Sequence, residues 1–419
     1  DTQFKLLKSL GFVYYKMGEP IKFSETGNFL ASAVSITYEQ DGTVNHTVVK
    51  PQNEQIAFMQ AFAKQQRCNP FIRELNDNIP LILLLKVIRL LNKDSEYNNC
   101  GISYKEVPLL LFWKNNDAYA LYERIKKLRS EHGYSPSSEV IADICINEIL
   151  GTFKKFKLKS IVSEYPDDFV RKMRMTGLIT FRGGGRFIDV NHNEDEKIDY
   201  ILKTYSSYEK YNTEHGYFKY MSSIDKHLFC IQSVEINKNE AAGKLASWTK
   251  VYGWETIKSE LENLVKRTAS KDNTLKFIDA PSRLEFLTAL AIKTMLPHVV
   301  VIPNYPIDDT GLPTSTAGGG YGDIECLENP NAVLVEVTMA QGRTQTIMEV
   351  WPIERHLEEF IRKYNLSSQC LFVAPTIFND TERQIKFVKA DKGLTIRPLK
   401  IKDFINYLEN SKKLYHRDA

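Results

Sequence analysis

The sequence lacks the patterns that mark membrane and exported proteins. No run of about 18 consecutive apolar residues occurs, so no membrane-spanning helix is predicted. The longest apolar run, residues 79–86, ends in a lysine and predicts a buried helix. No basic-then-apolar leader opens the chain, which favours a cytoplasmic protein. The chain also does not begin with Met, so we expect further residues before Asp1 in the full protein.

Several catalytic and metal-binding signatures are missing as well. The six cysteines are far apart and none forms a CxxC pair, which argues against a zinc finger and favours buried thiols over a disulfide framework. The glycine-rich segment 316–322 is not followed by the GK[ST] of a P-loop, so no NTP-driven motor is implied. No GxSxG nucleophile motif occurs.

Net charge is small, but its distribution along the chain is uneven. The formal total of +3 is too mild to indicate nucleic-acid binding by itself. Residues 151–186 carry a net charge of +6, whereas residues 277–349 carry −6. The first region suits a phosphate backbone and the second a hard divalent cation. The alternative, that each run is only a solvated face, remains open at this point.

The 419 residues predict two or three domains at about 100–200 residues each. Residues 4–30 follow the order helix, glycine, hairpin, helix, and the pattern recurs at 169–190. This order is typical of winged-helix DNA-binding modules, although an ordinary α+β domain fits it equally well. Ser103 and Glu106 match a capping box ahead of the apolar run 107–112.

Helices and strands alternate after residue 282, which predicts an α/β domain. The predicted fold class is therefore α+β multidomain, with helical, winged-helix-like recognition subdomains followed by an α/β domain. The predicted boundaries are 1–150 and 151–235 for the two recognition subdomains, 236–275 for a helical linker, and 276–419 for the α/β domain.

Two carboxylates mark the chemistry of this last domain. Asp323 opens a predicted strand, and Glu336 lies inside another, between Val335 and Val337. A carboxylate among aliphatic residues is costly to bury unless it is paired or binds a metal. The 13-residue separation allows two antiparallel strands and a turn, which would bring both acids to one sheet edge as Mg²⁺ ligands. This is the layout of the PD-(D/E)xK nuclease core, whose metal activates a water for attack on a phosphodiester.

The match to this motif has two departures and three possible additions. Gly322 replaces the motif's Pro, and Thr338 occupies the position of the Lys. Glu285, on a predicted helix, and Glu349 are candidate further acids, and His356 follows Glu349 by seven residues. We expect Pro352 to lie in the first turn of the last helix, which leaves open whether Glu349 and His356 share a face. A structural histidine and a structural acid remain the alternatives.

The chain resembles the AlwI family of type IIS restriction endonucleases, which includes large subunits of related nicking endonucleases. The resemblance covers residues 336–349, 352–356, 370–375, 322–323 and Glu285, and in the first half 11–14, 21–27 and 176–183. It implies that Glu285, Asp323, Glu336 and Glu349 are the metal-site acids, of which the last three ligate Mg²⁺, and that His356 is the active-site histidine. It also implies that the absence of the motif's lysine, with Thr338 in its position, is shared by the family. Gln341, the next polar side chain, carries no charge to replace the Lys. Family members carry more residues before the position of Asp1.

The sequence and this resemblance together predict a Mg²⁺-dependent endonuclease that binds a short asymmetric site in double-stranded DNA and cuts at a fixed offset. The predicted DNA contacts are Arg171, Arg174, Arg182 and Arg186. The sequence does not distinguish an enzyme that cuts both strands from one that nicks a single strand. Double-strand cleavage would involve a second subunit or a transient dimer. The alternatives are a winged-helix DNA-binding regulator with an inactive nuclease domain and a structure-specific repair nuclease.

Overall fold

The chain forms two compact units in a computed structural model that describes residues 2–38, 44–74, 76–97, 100–151 and 156–416. Unit 1 comprises residues 1–33 and 53–234, and unit 2 comprises residues 34–52 and 235–419. The hairpin segment 34–52 therefore belongs to the unit that contains the C-terminal half of the chain. Sequence patterns did not predict this assignment. Lys154 and Lys155 of the predicted basic run lie outside the described residues.

Unit 1 is mainly helical, with short β-hairpins. Its helices are α1 (Thr2–Ser9), α2 (Glu25–Ala31), α3 (Pro51–Lys64, which begins in unit 2), α4 (Pro80–Lys93), α5 (Val107–Phe112), α6 (Ala118–His132), α7 (Ser138–Asp143), α8 (Tyr165–Arg174), α9 (Asp195–Thr204), α10 (Glu214–Ser222) and α11 (Lys226–Cys230). Its strands are β1 (Val13–Tyr14), β2 (Lys22–Phe23), β5 (Ile102–Ser103), β6 (Ile179–Arg182) and β7 (Phe187–Val190).

Both predicted hairpins of unit 1 are present. Strands β1 and β2 pair antiparallel, and β6 and β7 do the same, with β5 added on the outer side of β7. The predicted capping box is confirmed, since the backbone N–H of Ser103 donates to Glu106 Oε2 at 2.8 Å. The apolar run 79–86 opens α4, whose leucine and isoleucine side chains form much of the core of this unit.

Unit 2 contains the hairpin β3 (Val34–Tyr38) and β4 (Val44–Val48), followed from residue 235 by a mixed α/β layer structure. The remaining elements are α12 (Lys238–Trp248), α13 (Trp254–Val265), α14 (Ala280–Met295), β8 (Val300–Pro303), β9 (Ile324–Glu328), β10 (Asn331–Val337), α15 (Gly342–Tyr364), β11 (Ser367–Ala374), α16 (Asn379–Lys392), β12 (Ile396–Lys400) and α17 (Ile401–Asn410). Helices α12 and α13, in the predicted linker, pack on α14 within this unit.

A five-stranded sheet in the order β12-β11-β10-β9-β8 organises unit 2. Strands β8, β9 and β10 pair antiparallel, whereas β10, β11 and β12 pair parallel. Because helices cover the sheet, the central strand β10 is buried and reads as a nearly continuous apolar run around Glu336. Helix α15 connects β10 to β11 and packs against both.

The predicted start of α15 at Pro352 is wrong. The helix begins ten residues earlier, at Gly342, and holds Pro352 in its interior. Proline removes one helical N–H, but the packing of Val350, Ile353 and Leu357 into the sheet core maintains the helix through it. This correction matters for the site because residues 342–364 form a single helix.

Two further sequence expectations concern the membrane and the cysteines. Within the described ranges, no helix is long and apolar enough to cross a membrane. None of the six cysteines, all of which the structure describes, forms a disulfide, and Cys145, Cys326 and Cys370 are buried. Cys230 is exposed, so the expectation of buried thiols holds for only part of the set.

Candidate active site

Asp323 and Glu336 lie next to each other on antiparallel strands, as their spacing predicts. Strand β9 begins one residue after Asp323, and its Ile324 is the register partner of Val335 in β10. The carboxylate of Asp323 accepts a hydrogen bond from the backbone N–H of Val337 at 2.7 Å. This bond ties Asp323 across the ladder to the strand that carries Glu336, at one end of the sheet.

The residue before Asp323 has to be small, because Gly322 packs directly against the neighbouring strand. A Cβ atom at Gly322 would lie 2.4 Å from Leu334 Cδ1 and 2.7 Å from Glu336 Oε1. Both distances are below any ordinary van der Waals contact. A proline at this position, as in the PD-(D/E)xK motif, would therefore displace the Glu336 carboxylate. This close packing explains why glycine occupies the position in this chain.

Glu285 reaches the same region from α14. It is 4% exposed, and its Oε2 accepts a hydrogen bond from the backbone N–H of Ala317 at 2.9 Å. Ala317 is the second residue of the glycine-rich segment 316–322, so this segment contacts candidate acids near both of its ends. Arg283 does not serve as a partner of Glu285, because its guanidinium donates to Leu275 O and faces Glu260 and Asp279.

Helix α15 contributes three polar side chains at intervals of seven residues, all on the face that packs on the sheet. Glu349 Oε1 accepts from Thr338 Oγ1 at 2.8 Å, and His356 Nδ1 lies 2.9 Å from Glu336 Oε1. Lys363 donates to both carboxylate oxygens of Glu325, at 2.8 and 2.7 Å. Glu349 and His356 thus share a face. Sequence analysis missed Lys363, although its spacing from His356 repeats that between Glu349 and His356.

The four acids influence one another electrostatically. Burial, followed by the charge of Asp323, raises the pKa of Glu285 well above its usual range. Burial and the neighbouring Glu336 do the same to the pKa of Asp323. The pKa values of Glu336 and Glu349 are also raised, chiefly by burial. No lysine or arginine in the described part of the chain pairs with any of the four, so this cluster favours either protons or a cation.

His356 contacts the cluster through Glu336, and its environment favours the neutral form. Burial lowers its pKa, with the backbone of Gly319 acting in the opposite direction. Nε2 is buried and has no hydrogen-bond partner among the residues that the structure describes. The His356 ring therefore supports Glu336 through a hydrogen bond while adding little positive charge to the site.

The cluster meets some but not all requirements of a metal site. Carboxylate oxygens are the ligands that Mg²⁺ prefers, and mutual repulsion among buried acids is relieved by a cation. In the described ranges, however, no three Asp, Glu, His or Cys side chains already converge as ligands around a common point. The donor types fit a divalent cation, which the carboxylates of Asp323, Glu336 and Glu349 could hold.

The four arginines predicted to contact DNA lie in unit 1 and differ in their environments. Arg171 and Arg186 are exposed, and half-buried Arg182 donates through Nε to Asp189 at 2.6 Å. Arg174 is only 4% exposed; it donates to Ile179 O and its guanidinium lies over the ring of Phe181. Arg174 thus faces the interior of its unit, which argues against the predicted DNA contact for this residue.

The fold and the site define unit 2 as a mixed α/β unit with a cluster of buried carboxylates at one end of its sheet. The profile of the AlwI restriction endonuclease family matches residues 8–247 and 241–407 of the chain. The chain therefore belongs to the AlwI restriction endonuclease family, and this membership supports DNA endonuclease activity.

Solved structures of restriction endonucleases also resemble the chain. The small subunit of the heterodimeric restriction endonuclease R.BspD6I is 24% identical, with a TM-score of 0.32, over 39% of this chain and 82% of that subunit. Restriction endonuclease FokI is 9% identical, with a TM-score of 0.29, over 97% of this chain and 79% of FokI. Comparison with curated proteins returned no significant match. Family membership rests on the profile match, since these structural similarities are low.

Proposed function

We propose that the protein is a Mg²⁺-dependent type IIS endonuclease that binds a short asymmetric site in double-stranded DNA and cuts at a fixed offset from it. One observation carries the proposal. Glu285, Asp323, Glu336 and Glu349 come from α14, from the residue before β9, from β10 and from α15, and yet influence one another electrostatically. Among the residues that the structure describes, none of the four pairs with a lysine or arginine. Burying several carboxylates together lowers the stability of the folded state, and such groups cluster at functional sites. A role in metal-dependent catalysis would explain why they are present.

In this proposal unit 2 is a PD-(D/E)xK nuclease domain. Asp323, Glu336 and Glu349 would hold Mg²⁺, which when bound supplies an activated water and charge stabilisation at the leaving oxygen. His356 orients the Glu336 carboxylate through Nδ1, and Thr338 orients Glu349 through Oγ1. Glu285 anchors the glycine-rich segment through the Ala317 N–H and adds negative charge to the cluster.

Unit 1 would recognise the DNA. Its helix-and-hairpin modules have the element order of winged-helix proteins, which place a helix in the major groove. Arg171 at the end of α8, with Arg182 and Arg186 at the turn between β6 and β7, would contact the DNA. Exposed arginines on such elements either hold phosphates or read guanine.

The test is cleavage of supercoiled plasmid with Mg²⁺, with an EDTA control and the Glu336→Gln variant. We expect discrete products with wild-type protein, none with EDTA, and DNA binding without cleavage by the variant. Linear fragments would identify a double-strand cutter. Open circles would identify a nicking enzyme or a subunit that needs a partner. DNA binding by wild-type protein without any cleavage would favour the regulator with an inactive nuclease domain, and cutting by Glu336→Gln would refute the assignment of the acids.

A further inference from the structure

Helix α13 ends at a residue with an unusual backbone conformation. Arg267 follows the last helical turn with a φ of +52°, in the left-handed region. Its N–H donates to Leu264 O at 3.2 Å, and the N–H of Thr268 donates to Asn263 O at 2.9 Å. This hydrogen-bond pair is the Schellman arrangement, which closes many helices and normally holds a glycine at the left-handed position.

The way α13 ends explains why residue 267 has a positive φ, but it does not explain why this residue is an arginine. A left-handed conformation strains any residue with a Cβ atom, so glycine would close α13 at lower cost. In the described part of the chain, the one other non-glycine residue with positive φ is Asn365, at the end of α15. Asparagine tolerates this region, whereas arginine has no such preference. An arginine at this strained position therefore calls for a role of its side chain.

The side chain of Arg267 is directed to the segment between β10 and α15. Its Nη2 donates to Gln341 Oε1 at 3.0 Å. That segment is held in place, because Thr338 N donates to Val373 O and Gln345 Nε2 donates to Ala340 O. Gln341 lies three residues after Thr338, so this hydrogen bond places the Arg267 side chain beside the stretch that follows the acid-bearing strand.

The strand that carries Glu336 lacks the positive charge that the motif would place at its end. The PD-(D/E)xK motif has a lysine where this chain has Thr338, and Gln341 carries no charge. We propose that Arg267 is a phosphate-binding residue of the cleavage site, where its guanidinium supplies the positive charge that the motif's lysine would supply. The inference rests on the proposed function. One N–H is held by Gln341, and the exposed guanidinium has further donors for the non-bridging oxygens of a DNA phosphate.

The decisive variant is Arg267→Gly, because it removes the guanidinium and at the same time relieves the backbone strain. We expect single-turnover cleavage of a duplex containing the mapped wild-type cut site to slow by about 10²-fold, as for the loss of one charge-stabilising donor. The Tm should not fall below that of wild type. Arg267→Lys keeps the charge but not the planar fork, and should cut at least about tenfold faster than the glycine variant.

A matched control removes a neighbouring charge from the same helix end. Lys266 immediately precedes Arg267 and pairs with Glu262 at 3.2 Å, so Lys266→Ala should leave cleavage unchanged. Binding is compared in a Glu336→Gln background, which prevents cleavage. There, adding Arg267→Gly should reduce the slope of log affinity against log salt concentration by about one, the value for one phosphate contact.

Three outcomes would overturn the inference. Cleavage by Arg267→Gly within about twofold of wild type would exclude a role at the phosphate. An unchanged salt slope would mean that Arg267 does not contact a phosphate. Equal losses in the lysine and glycine variants, together with a lower Tm, would identify Arg267 as a structural tie to Gln341. In each case wild-type protein still cuts, whereas failure of the proposed function appears as absence of cleavage by wild type.

Discussion

His356 Nδ1 lies 2.9 Å from Glu336 Oε1, and this hydrogen bond joins the middle of α15 to the penultimate residue of β10. Both side chains are at least nine-tenths buried. The bond links the helix that carries Glu349 to the strand that carries Glu336. A change in either partner is therefore expected to alter the position of more than one acid.

The first prediction concerns the role of His356 in positioning. We expect His356→Ala to lower activity or raise the Mg²⁺ concentration for half-maximal cleavage by about 10–100-fold, the usual cost of losing a residue that orients a ligand. Titration of Mg²⁺ in the plasmid assay measures it. His298→Ala is the control, because His298 makes a similar 2.9 Å contact with Glu328 away from the acid cluster. Equal effects of the two variants would contradict the prediction.

The second prediction concerns pH and metal. Glu285, Asp323 and Glu336 have pKa values raised above those of the unfolded chain, so the folded state binds their protons more tightly. Their contribution to stability is therefore present at acid pH and is lost as pH rises from the unfolded pKa values of about 4 toward the folded ones. Without metal, wild-type protein should thus lose more Tm between pH 5 and pH 8 than Glu336→Gln does.

Mg²⁺ should reverse this loss where the acids are ionised. We expect the increase in Tm caused by Mg²⁺ to be larger at pH 8 than at pH 5, since protons compete with the cation at the lower pH. The increase should be small in Glu336→Gln at both values. An increase that is independent of pH, or that persists in the variant, would show that Mg²⁺ stabilises the protein elsewhere.

The third prediction tests the close packing of Gly322. Gly322→Ala should destabilise unit 2 by about 1–3 kcal/mol, because its Cβ would collide with Leu334 and the Glu336 carboxylate. Cleavage should fall by more than the loss of folded protein explains. Gly320→Ala is the matched control, since a Cβ at Gly320 meets nothing within 4 Å. Denaturant titration and cleavage rates measured side by side would separate the two effects.

The fourth prediction concerns the stability of unit 1. Arg129 pairs with Glu106 at 2.7 Å, and both side chains are almost fully buried. Arg129→Leu should cost about 3–5 kcal/mol, because it leaves the Glu106 carboxylate buried without its partner. The exposed pair of Lys172 and Asp168 provides the comparison, and Lys172→Ala should cost no more than about 1 kcal/mol. A similar cost for both variants, by chemical denaturation, would contradict the prediction.

Sequence patterns predicted the parts of the fold that local chemistry decides. The antiparallel arrangement of Asp323 and Glu336 followed from strand periodicity and spacing, and the structure confirms it. The capping box at Ser103 and Glu106 needs only four residues, and it is also confirmed. Family resemblance carried the identification itself, which the profile match confirms.

Tertiary packing decided the features that sequence patterns missed. Pro352 signals the first turn of a helix locally, yet the apolar face of α15 keeps the helix intact through it. The burial of Arg174 depends on the ring of Phe181 and the carbonyl of Ile179, which lie in the neighbouring strand β6. Arg267 stood out only once its φ angle and its contact with Gln341 were known.

The division of the chain into units has a consequence for synthesis on the ribosome. The hairpin of residues 34–52 belongs to unit 2, but residues 53–234 of unit 1 are translated before the rest of unit 2 begins. At about 5–20 residues per second, this interval lasts roughly 10 to 40 s. The hairpin is therefore synthesised well before the other elements of its unit. A fragment that begins at residue 235 would also lack this hairpin, so separating the units for expression requires joining two distant pieces of the gene.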